Sequence, residues 1–408
     1  MQRRPKNKTV LAMVGLPARG KSFMARKMAR YLNWRGHRTR VFNVGSYRRE
    51  HLGAKKDHRF FDPDQREARE ARRKVALDAL DAALGWVVAE GDVAVFDACN
   101  ITRDRRDEIR ARCRHAGVDL CFVETICDDP AVIEENIRAT KLKLPDYEGL
   151  DPEDAARDFR MRIAHYRRLY QPLDDESSSF VKLMAFKGGG RRVVVNRVDE
   201  DPTLRAAQLL LSFQSRERDL WLVRHGESTH NVAGRIGGDA PLSDRGRAFA
   251  GKLGEWLAQQ DKGPVEVWTS TLVRTRQTAE IVSPDHTPWR ALDEIDAGVC
   301  DGMTYAEIAE QMPDVHEGRK ADKLRYRYPR GESYLDVIQR LDPLIGDLER
   351  VTEPLLIIAH QAVLRALYAY LMGHPREEAP FLEIPLHTVI ELAPGGHLPT
   401  ERRHPLVP

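Results

Sequence analysis

The stretch Gly15-Leu16-Pro17-Ala18-Arg19-Gly20-Lys21-Ser22 decides the fold of the first half of this chain. Two glycines five apart, then a lysine, then a hydroxyl, make a complete phosphate-binding loop. The glycines let the backbone turn so that successive N–H groups point at one anion. Lys21 adds a point charge for the outer phosphates, and Ser22 offers an oxygen to Mg²⁺. Ahead of the loop, Val10 to Val14 is an apolar run that reads as a buried parallel strand. Behind it, Phe23, Met24, Lys27, Met28 and Tyr31 make a helical stripe. The loop therefore lies between a strand and a helix N-terminus, where aligned backbone dipoles favour negative charge.

Outward from the loop, strands and helices alternate. Thr39 to Asn43 reads as a strand running into Tyr47 and Arg48. Gln65 to Glu90 reads as a long helix with Val75, Leu77, Leu80, Ala83, Leu84 and Val87 inward, and Gly91 breaks it. Val93 to Asp97 is four apolar residues ending in a carboxylate, which places Asp97 beside the loop to hold Mg²⁺ or its water. Asn100, Thr102, Arg103, Arg105 and Arg106 follow at that strand's carboxyl end, where open α/β sheets bind ligands. Leu120 to Ile126 is a further core strand, Lys187 to Gly190 a turn, Arg191 to Arg197 a late strand and Leu204 to Phe213 a short amphipathic helix. The charged segment Ser215 to Arg218 marks a boundary, so the expected domains are 1–214 and 219–408.

The second half opens with a strand, Asp219 to Val223, that delivers Arg224-His225-Gly226-Glu227. A second strand, Leu355 to Ala359, delivers His360. Two histidines at the ends of two apolar strands can converge on one site. With Asn231, Arg235, Gly237, Arg274 and Glu294 they make a cationic phosphate pocket holding a nucleophile and a carboxyl acid. A neutral imidazole can attack phosphorus in line to give a phosphohistidine. Arg224 and Arg274 neutralise the spread charge with forked hydrogen bonds, and the acid protonates the leaving sugar oxygen. The histidines have no third ligand at zinc-like spacing, so this half is expected to need no metal.

Composition bounds the reading. The chain has 408 residues, 42% hydrophobic and 31% charged, as a two-domain globular protein should. Its net charge of +3 comes without a basic tail or basic–aromatic array, so no nucleic-acid partner is expected. Five cysteines form no paired framework, no stretch has the length of a membrane span, and no apolar signal core follows the basic start. A cytoplasmic protein with no membrane partner is expected. The oligomeric state stays open, a homodimer being the arrangement considered.

From about Val10 to His387 the chain resembles the bifunctional 6-phosphofructo-2-kinase/fructose-2,6-bisphosphatase family. The resemblance rests on Val14 to Lys21, Tyr31 to Trp34, Phe42 to Gly45, Val93 to Ala98 and Val194 to Val198. In the second half it rests on Arg224 to Glu227, Gly234 to Asp239, Val267 to Ser270, Glu294 to Cys300, Tyr326 to Pro329 and Pro385 to Thr388. The second half alone would indicate only the histidine phosphatase superfamily; both halves in this order make the match specific. The resemblance implies two α/β domains. The first is a P-loop kinase domain with a mainly parallel sheet and helices on both faces. The second is a histidine phosphatase (phosphoglycerate-mutase-like) domain around a mixed sheet. It implies ATP, Mg²⁺, fructose 6-phosphate and fructose 2,6-bisphosphate as ligands.

Roles follow residue by residue from the same resemblance. Gly15 to Ser22, Asn136, Lys141, Asn196 and Arg197 are the implied ATP contacts. Arg48, Arg72, Arg105, Arg162 and Tyr166 are the implied fructose 6-phosphate contacts. Asp97 is the active-site aspartate, and Cys127 a cysteine near the site. His225 is the implied nucleophile and Glu294 the acid, with His360, Arg224, Asn231 and Arg274 the phosphate cradle. Tyr305, Arg319, Lys323, Tyr334, Gln361 and Arg365 are the implied holders of the sugar's other phosphate. One departure stands out: Cys99 occupies the place of the family's threonine, whose hydroxyl contacts the sugar phosphate. Few residues precede Val10 or follow His387, so switching by a phosphorylated tail is not expected. Two alternatives remain: the same chemistry on another sugar phosphate, or one domain reduced to sensing hexose phosphates.

Overall fold

The computed structural model describes residues 8–186, 190–212, 218–395 and 398–407. Most of the turn expected at Lys187 to Gly190, most of the boundary at Ser215 to Arg218, and Phe213 lie outside the described residues. The chain divides into two compact units, Met1–Leu211 and Ser212–Pro408.

The first unit runs β1 (Thr9–Val14), α1 (Lys21–Arg35), β2 (Thr39–Asn43), α2 (Val44–Leu52), α3 (Arg66–Ala89), β3 (Val93–Asp97), α4 (Arg103–His115), β4 (Asp119–Cys127), α5 (Pro130–Asn136), α6 (Pro152–Leu169), β5 (Phe180–Ala185), β6 (Arg191–Asn196) and α7 (Thr203–Ser212). Its six-stranded sheet has the order β2-β3-β1-β4-β5-β6. Every neighbouring pair is parallel except β5 with β6. The β1 residues are all buried, as expected of a central strand covered on both faces. Val10, Ala12 and Val14 share one core with Ala79, Leu80 and Ala83 of α3 and Ile109 of α4. The chain moves one way along the sheet from β1 to β2 and the other way afterwards. Right-handed crossovers therefore put α1 on the opposite face from α3 and α4. β1 pairs between β3 and β4, so the loop after it opens at the sheet's carboxyl edge, flanked by the ends of both neighbours.

The second unit runs β7 (Leu220–Arg224), α8 (Thr229–Val232), α9 (Asp244–Ala258), β8 (Glu266–Thr269), α10 (Val273–Val282), β9 (Thr287–Pro288), α11 (Tyr305–Gln311), α12 (Pro313–Ala321), α13 (Tyr334–Arg350), β10 (Leu355–Ala359), α14 (Gln361–Met372), β11 (Thr388–Ala393) and β12 (Thr400–Pro405). The sheet order is β12-β11-β7-β10-β8-β9. β7, β10, β8 and β9 are parallel, while β11 and β12 run antiparallel, a mixed sheet as expected. β7 and β10 are neighbours with Arg224 opposite Ala359. That register brings the two strand-end histidines side by side. Among the described residues no helix is long and apolar enough to cross a membrane.

Two candidate active sites

In the first unit the loop leaves no room for a side chain where it begins. A Cβ on Gly15 would lie 2.5 Å from the Thr125 carbonyl oxygen, and φ there is +133°. The Gly15 N–H donates to the Cys99 carbonyl at 2.9 Å, which ties the loop to the end of β3. Gly20, with φ +76°, caps α1. Lys21 is buried inside the loop, its Nζ donating to Leu16 O at 2.6 Å. Arg19 folds onto Pro17 O at 2.9 Å, within electrostatic reach of buried Cys127. Asn136, at the end of α5, donates to Ala18 O at 3.3 Å. Lys141 closes the π-helical turn that follows. Burial lowers its amine to about 8; the charge of Lys21 pushes the same way, and Asp97 opposes. Lys21, Lys141 and Asp97 thus share one field. The Asp97 carboxylate also accepts from Asn43, its register partner on β2.

Beside this lies a cluster of cations around one aromatic ring. The Arg162 guanidinium carbon is 3.5 Å from the Phe61 ring centroid, with Arg48 at 5.6 Å and Arg72 at 5.8 Å. The Tyr166 ring is 6.2 Å away. Three guanidiniums gathered on a ring's faces are held partly by cation–π attraction and repel one another, so the cluster favours an anion. Of these three, Asp146 compensates Arg48: both carboxylate oxygens accept from Nη2 at 2.7 Å, in a pair whose side chains are 5% and 0% exposed, and Arg49 Nη1 joins them at 3.3 Å. Cys99 is half-buried and lies within electrostatic reach of Lys141 and Tyr166.

Asn196 and Arg197 are not brought to the loop. β6 runs antiparallel, so its end points away from the carboxyl edge: Asn196 is level with Phe180, Phe122 and Ala12, three strands from β1. Its amide is occupied by the carbonyls of Glu176 at 2.9 Å and Ser178 at 2.7 Å. Arg105 Nη1 donates to Glu108 on its own helix at 3.0 Å, while its Nη2 is buried with no hydrogen-bond partner among the described residues. The polar residues just after Asp97 are mostly structural. Asn100 donates to Met13 O at 2.8 Å, and Arg106 clamps the carbonyls of Gln171 and Pro172.

The second site is a cavity of about 300 Å³ lined by Arg224, His225, Asn231, Gly237, Arg274, Glu294, Tyr305, Arg319, Lys323, Tyr334, Gln361 and Arg365. Every residue expected there lines it except His360, which is fully buried behind His225 with ring centroids 5.0 Å apart. His225 Nδ1 lies 2.7 Å from the Gly226 carbonyl, which can only accept. The ring proton is therefore on Nδ1, and the lone pair is on Nε2, where Arg274 Nε donates at 3.0 Å. Burial, then the Arg274 charge, hold this imidazole well below its usual range and neutral. Burial also brings the Arg224 guanidinium down to about 10, the Glu294 charge opposing. One Glu294 oxygen is fixed by the N–H groups of Ile295 at 2.9 Å and Ala362 at 3.1 Å, the latter in the first turn of α14. At the far end Lys323 is lowered to about 8 by burial, with Arg365 and Arg319 adding repulsion.

Several contributors were given no role from the sequence. Arg340 donates to the carbonyls of Ala291 at 2.6 Å and Asp293 at 2.6 Å, pinning the segment that carries Glu294. Tyr328 lines the cavity. Phe61 and Asp146 organise the arginines of the first site. Each is an ordinary residue type whose role depends on a distant partner.

Comparison with known proteins agrees with this picture in both halves. A family model described as 6-phosphofructo-2-kinase matches residues 1–207, and one for the histidine phosphatase superfamily (branch 1) matches residues 220–404. The 6-phosphofructo-2-kinase/fructose-2,6-bisphosphatase of Gallus gallus is 48% identical over 390 residues, 95% of this chain and 83% of that protein. The human 6-phosphofructo-2-kinase/fructose-2,6-bisphosphatase 1 is 47% identical over 390 residues, 95% and 82% of the two chains. That of Arabidopsis thaliana is 47% identical over 402 residues, 97% of this chain and 54% of that protein. With a phosphate loop in one unit and paired strand-end histidines in the other, the chain belongs to the 6-phosphofructo-2-kinase/fructose-2,6-bisphosphatase family.

Proposed function

We propose that the chain is a bifunctional enzyme that makes and removes one sugar bisphosphate. The first unit transfers the ATP γ-phosphate to the 2-hydroxyl of fructose 6-phosphate. The loop N–H groups, Lys21, Asn136 and Lys141 hold the nucleotide phosphates. Ser22, in the first turn of α1, and the buried Asp97, at the end of β3, are the oxygens that would hold Mg²⁺, and oxygen donors of this kind fit a hard cation. That ion would supply charge neutralisation at the outer phosphates. Arg48, Arg72, Arg162 and Tyr166 orient the sugar phosphate around Phe61. The work of this site is positioning and neutralisation.

The second unit hydrolyses the 2-phosphate. His225 Nε2 attacks phosphorus, Glu294 protonates the leaving oxygen, and Arg224, Asn231, Arg274 and His360 cradle the phosphoryl group. Tyr305, Arg319, Lys323, Tyr334, Gln361 and Arg365 hold the 6-phosphate. The observation that carries this half is the unprotonated Nε2 of a neutral, buried His225, its lone pair facing Arg274.

The test is direct assay of both reactions on purified protein. With ATP and fructose 6-phosphate, the bisphosphate should form, and Lys21→Ala should abolish this while phosphatase activity survives. With bisphosphate labelled at position 2, acid-labile label should appear on His225 and vanish in His225→Ala. Turnover of a different sugar phosphate in preference, or binding without turnover, would overturn the assignment.

A further inference from the structure

One helix, α10, serves both imidazoles. Its Arg274 meets His225 directly, and its Thr278 hydroxyl accepts the Gly226 N–H at 3.0 Å. Its connection to His360 runs through a second hydroxyl. Ser270 Oγ, just past the end of β8, lies 2.7 Å from His360 Nε2 and 2.7 Å from Thr275 Oγ1. It also accepts the Leu272 N–H at 3.1 Å. Ser270, Thr275 and His360 are each 0% exposed, so no solvent competes for these bonds.

One assignment of protons satisfies both hydroxyls. Thr275 has one hydroxyl proton and stands 2.8 Å from the Leu272 carbonyl and 3.2 Å from that of Ser270, neither of which can donate. With its proton on the Leu272 carbonyl, its contact with Ser270 uses the Ser270 proton. Ser270 then has two lone pairs left. One takes the Leu272 N–H, and the other can only accept from His360 Nε2. Every group in the chain is then satisfied, and Nδ1 is left bare. That atom is buried and has no hydrogen-bond partner among the described residues. Leaving a buried polar atom unmatched is costly, so such an atom points to a partner supplied by substrate.

We propose that the Thr275–Ser270 hydroxyl chain positions His360 as its Nε2–H tautomer, so that Nδ1 meets the phosphoryl group transferred at His225. This rests on the reading of the second unit as a phosphohistidine phosphatase. In the free protein burial, and then the charges of Arg274, Arg224 and Arg340, hold His360 well below its usual range, so Nδ1 stays unprotonated. A phosphate dianion reverses that balance. Nδ1 takes one proton from solvent on binding and donates it as a hydrogen bond to a phosphate oxygen. Ser270 and Thr275 touch no reacting atom and are positioning residues.

The experiment uses the full chain with ¹⁵N-histidine. In substrate-free protein the His360 nitrogen shifts should report Nε2–H. Ser270→Ala and the isosteric Thr275→Val should each give mixed tautomers. Both should slow phosphohistidine formation about tenfold to a hundredfold, as small misplacements of a catalytic group do, with KM changing far less than kcat. Thr275→Ser, which keeps the hydroxyl, should restore tautomer and rate. An Nδ1–H tautomer in the wild type would overturn the proposal, as would wild-type tautomer and rate in both folded variants. If the wild type forms no phosphohistidine at all, the functional reading fails instead, and the tautomer measurement still judges the hydroxyl chain.

Discussion

Arg274 Nε donates to His225 Nε2 at 3.0 Å, so one guanidinium both marks the attacking nitrogen and keeps its ring neutral. It must release that nitrogen and turn to the phosphoryl oxygens when substrate arrives. Arg274→Gln removes both effects. Loss of a transition-state donor of this kind costs roughly 10²–10³ in rate. The His225 pKa should also climb once the cation is gone, so attack fails at a higher pH on the acid side. Phosphohistidine formation followed against pH should therefore show a lower plateau and an acid limb shifted upward. A lower plateau with an unmoved acid limb would mean that Arg274 does not set the charge state of His225.

Lys141 makes the kinase half sensitive to alkaline pH. Its amine sits at about 8 in the free protein because it is buried next to Lys21. It is charged below that value and neutral above it, so ATP binding to free protein should weaken as pH rises from 7 to 9. Lys141→Arg keeps the charge throughout that range and should flatten the dependence. Titration calorimetry at several pH values decides this. A wild-type affinity constant over the range would remove Lys141 from the phosphate site.

The Arg48–Asp146 pair is a stability element under a binding residue. Both side chains are almost fully buried, so breaking the pair leaves one unmatched charge. Asp146→Asn should destabilise the first unit by about 3–5 kcal/mol. The double variant Arg48→Met, Asp146→Leu should recover most of that loss while sugar-phosphate binding stays weak. Denaturant unfolding together with the fructose 6-phosphate KM separates the two effects. Equal stability of Asp146→Asn and wild type would contradict the assignment.

Cys99 stands where a hydroxyl would serve better. It lies within reach of Lys141 and Tyr166 and is half-buried rather than packed in the core. A thiol donates to phosphate more weakly than a hydroxyl. Cys99→Thr should restore about 1 kcal/mol, a several-fold fall in the fructose 6-phosphate KM, with the ATP KM unchanged. Steady-state kinetics on this single variant answer the question; an unchanged fructose 6-phosphate KM returns Cys99 to a packing role.

What the sequence determined alone is the chemistry carried by contiguous residues. The phosphate loop is local: its glycines, Lys21 and Ser22 act through backbone turns that a few residues specify, and the apolar runs beside it can only be buried strands. The strand-end histidines were legible for the same reason, since each follows directly on an apolar run, and parallel pairing of β7 with β10 set them side by side. Tertiary structure alone decided which polar residues converge. Arg72 and Arg162 sit on helices whose periodicity places them on partly solvated faces, and only the packing of Phe61 turns both toward one point. Arg105 has the same residue type and a similar setting, and only the packing shows that one of its nitrogens pairs with Glu108 on its own helix. For Asn196, an apolar run reads as a strand without a direction. Antiparallel β6 carried it away from the sheet's carboxyl edge. Local periodicity specifies a residue's face. Which partner meets that face depends on chain direction and long-range packing, and these exist only once the sheet has formed.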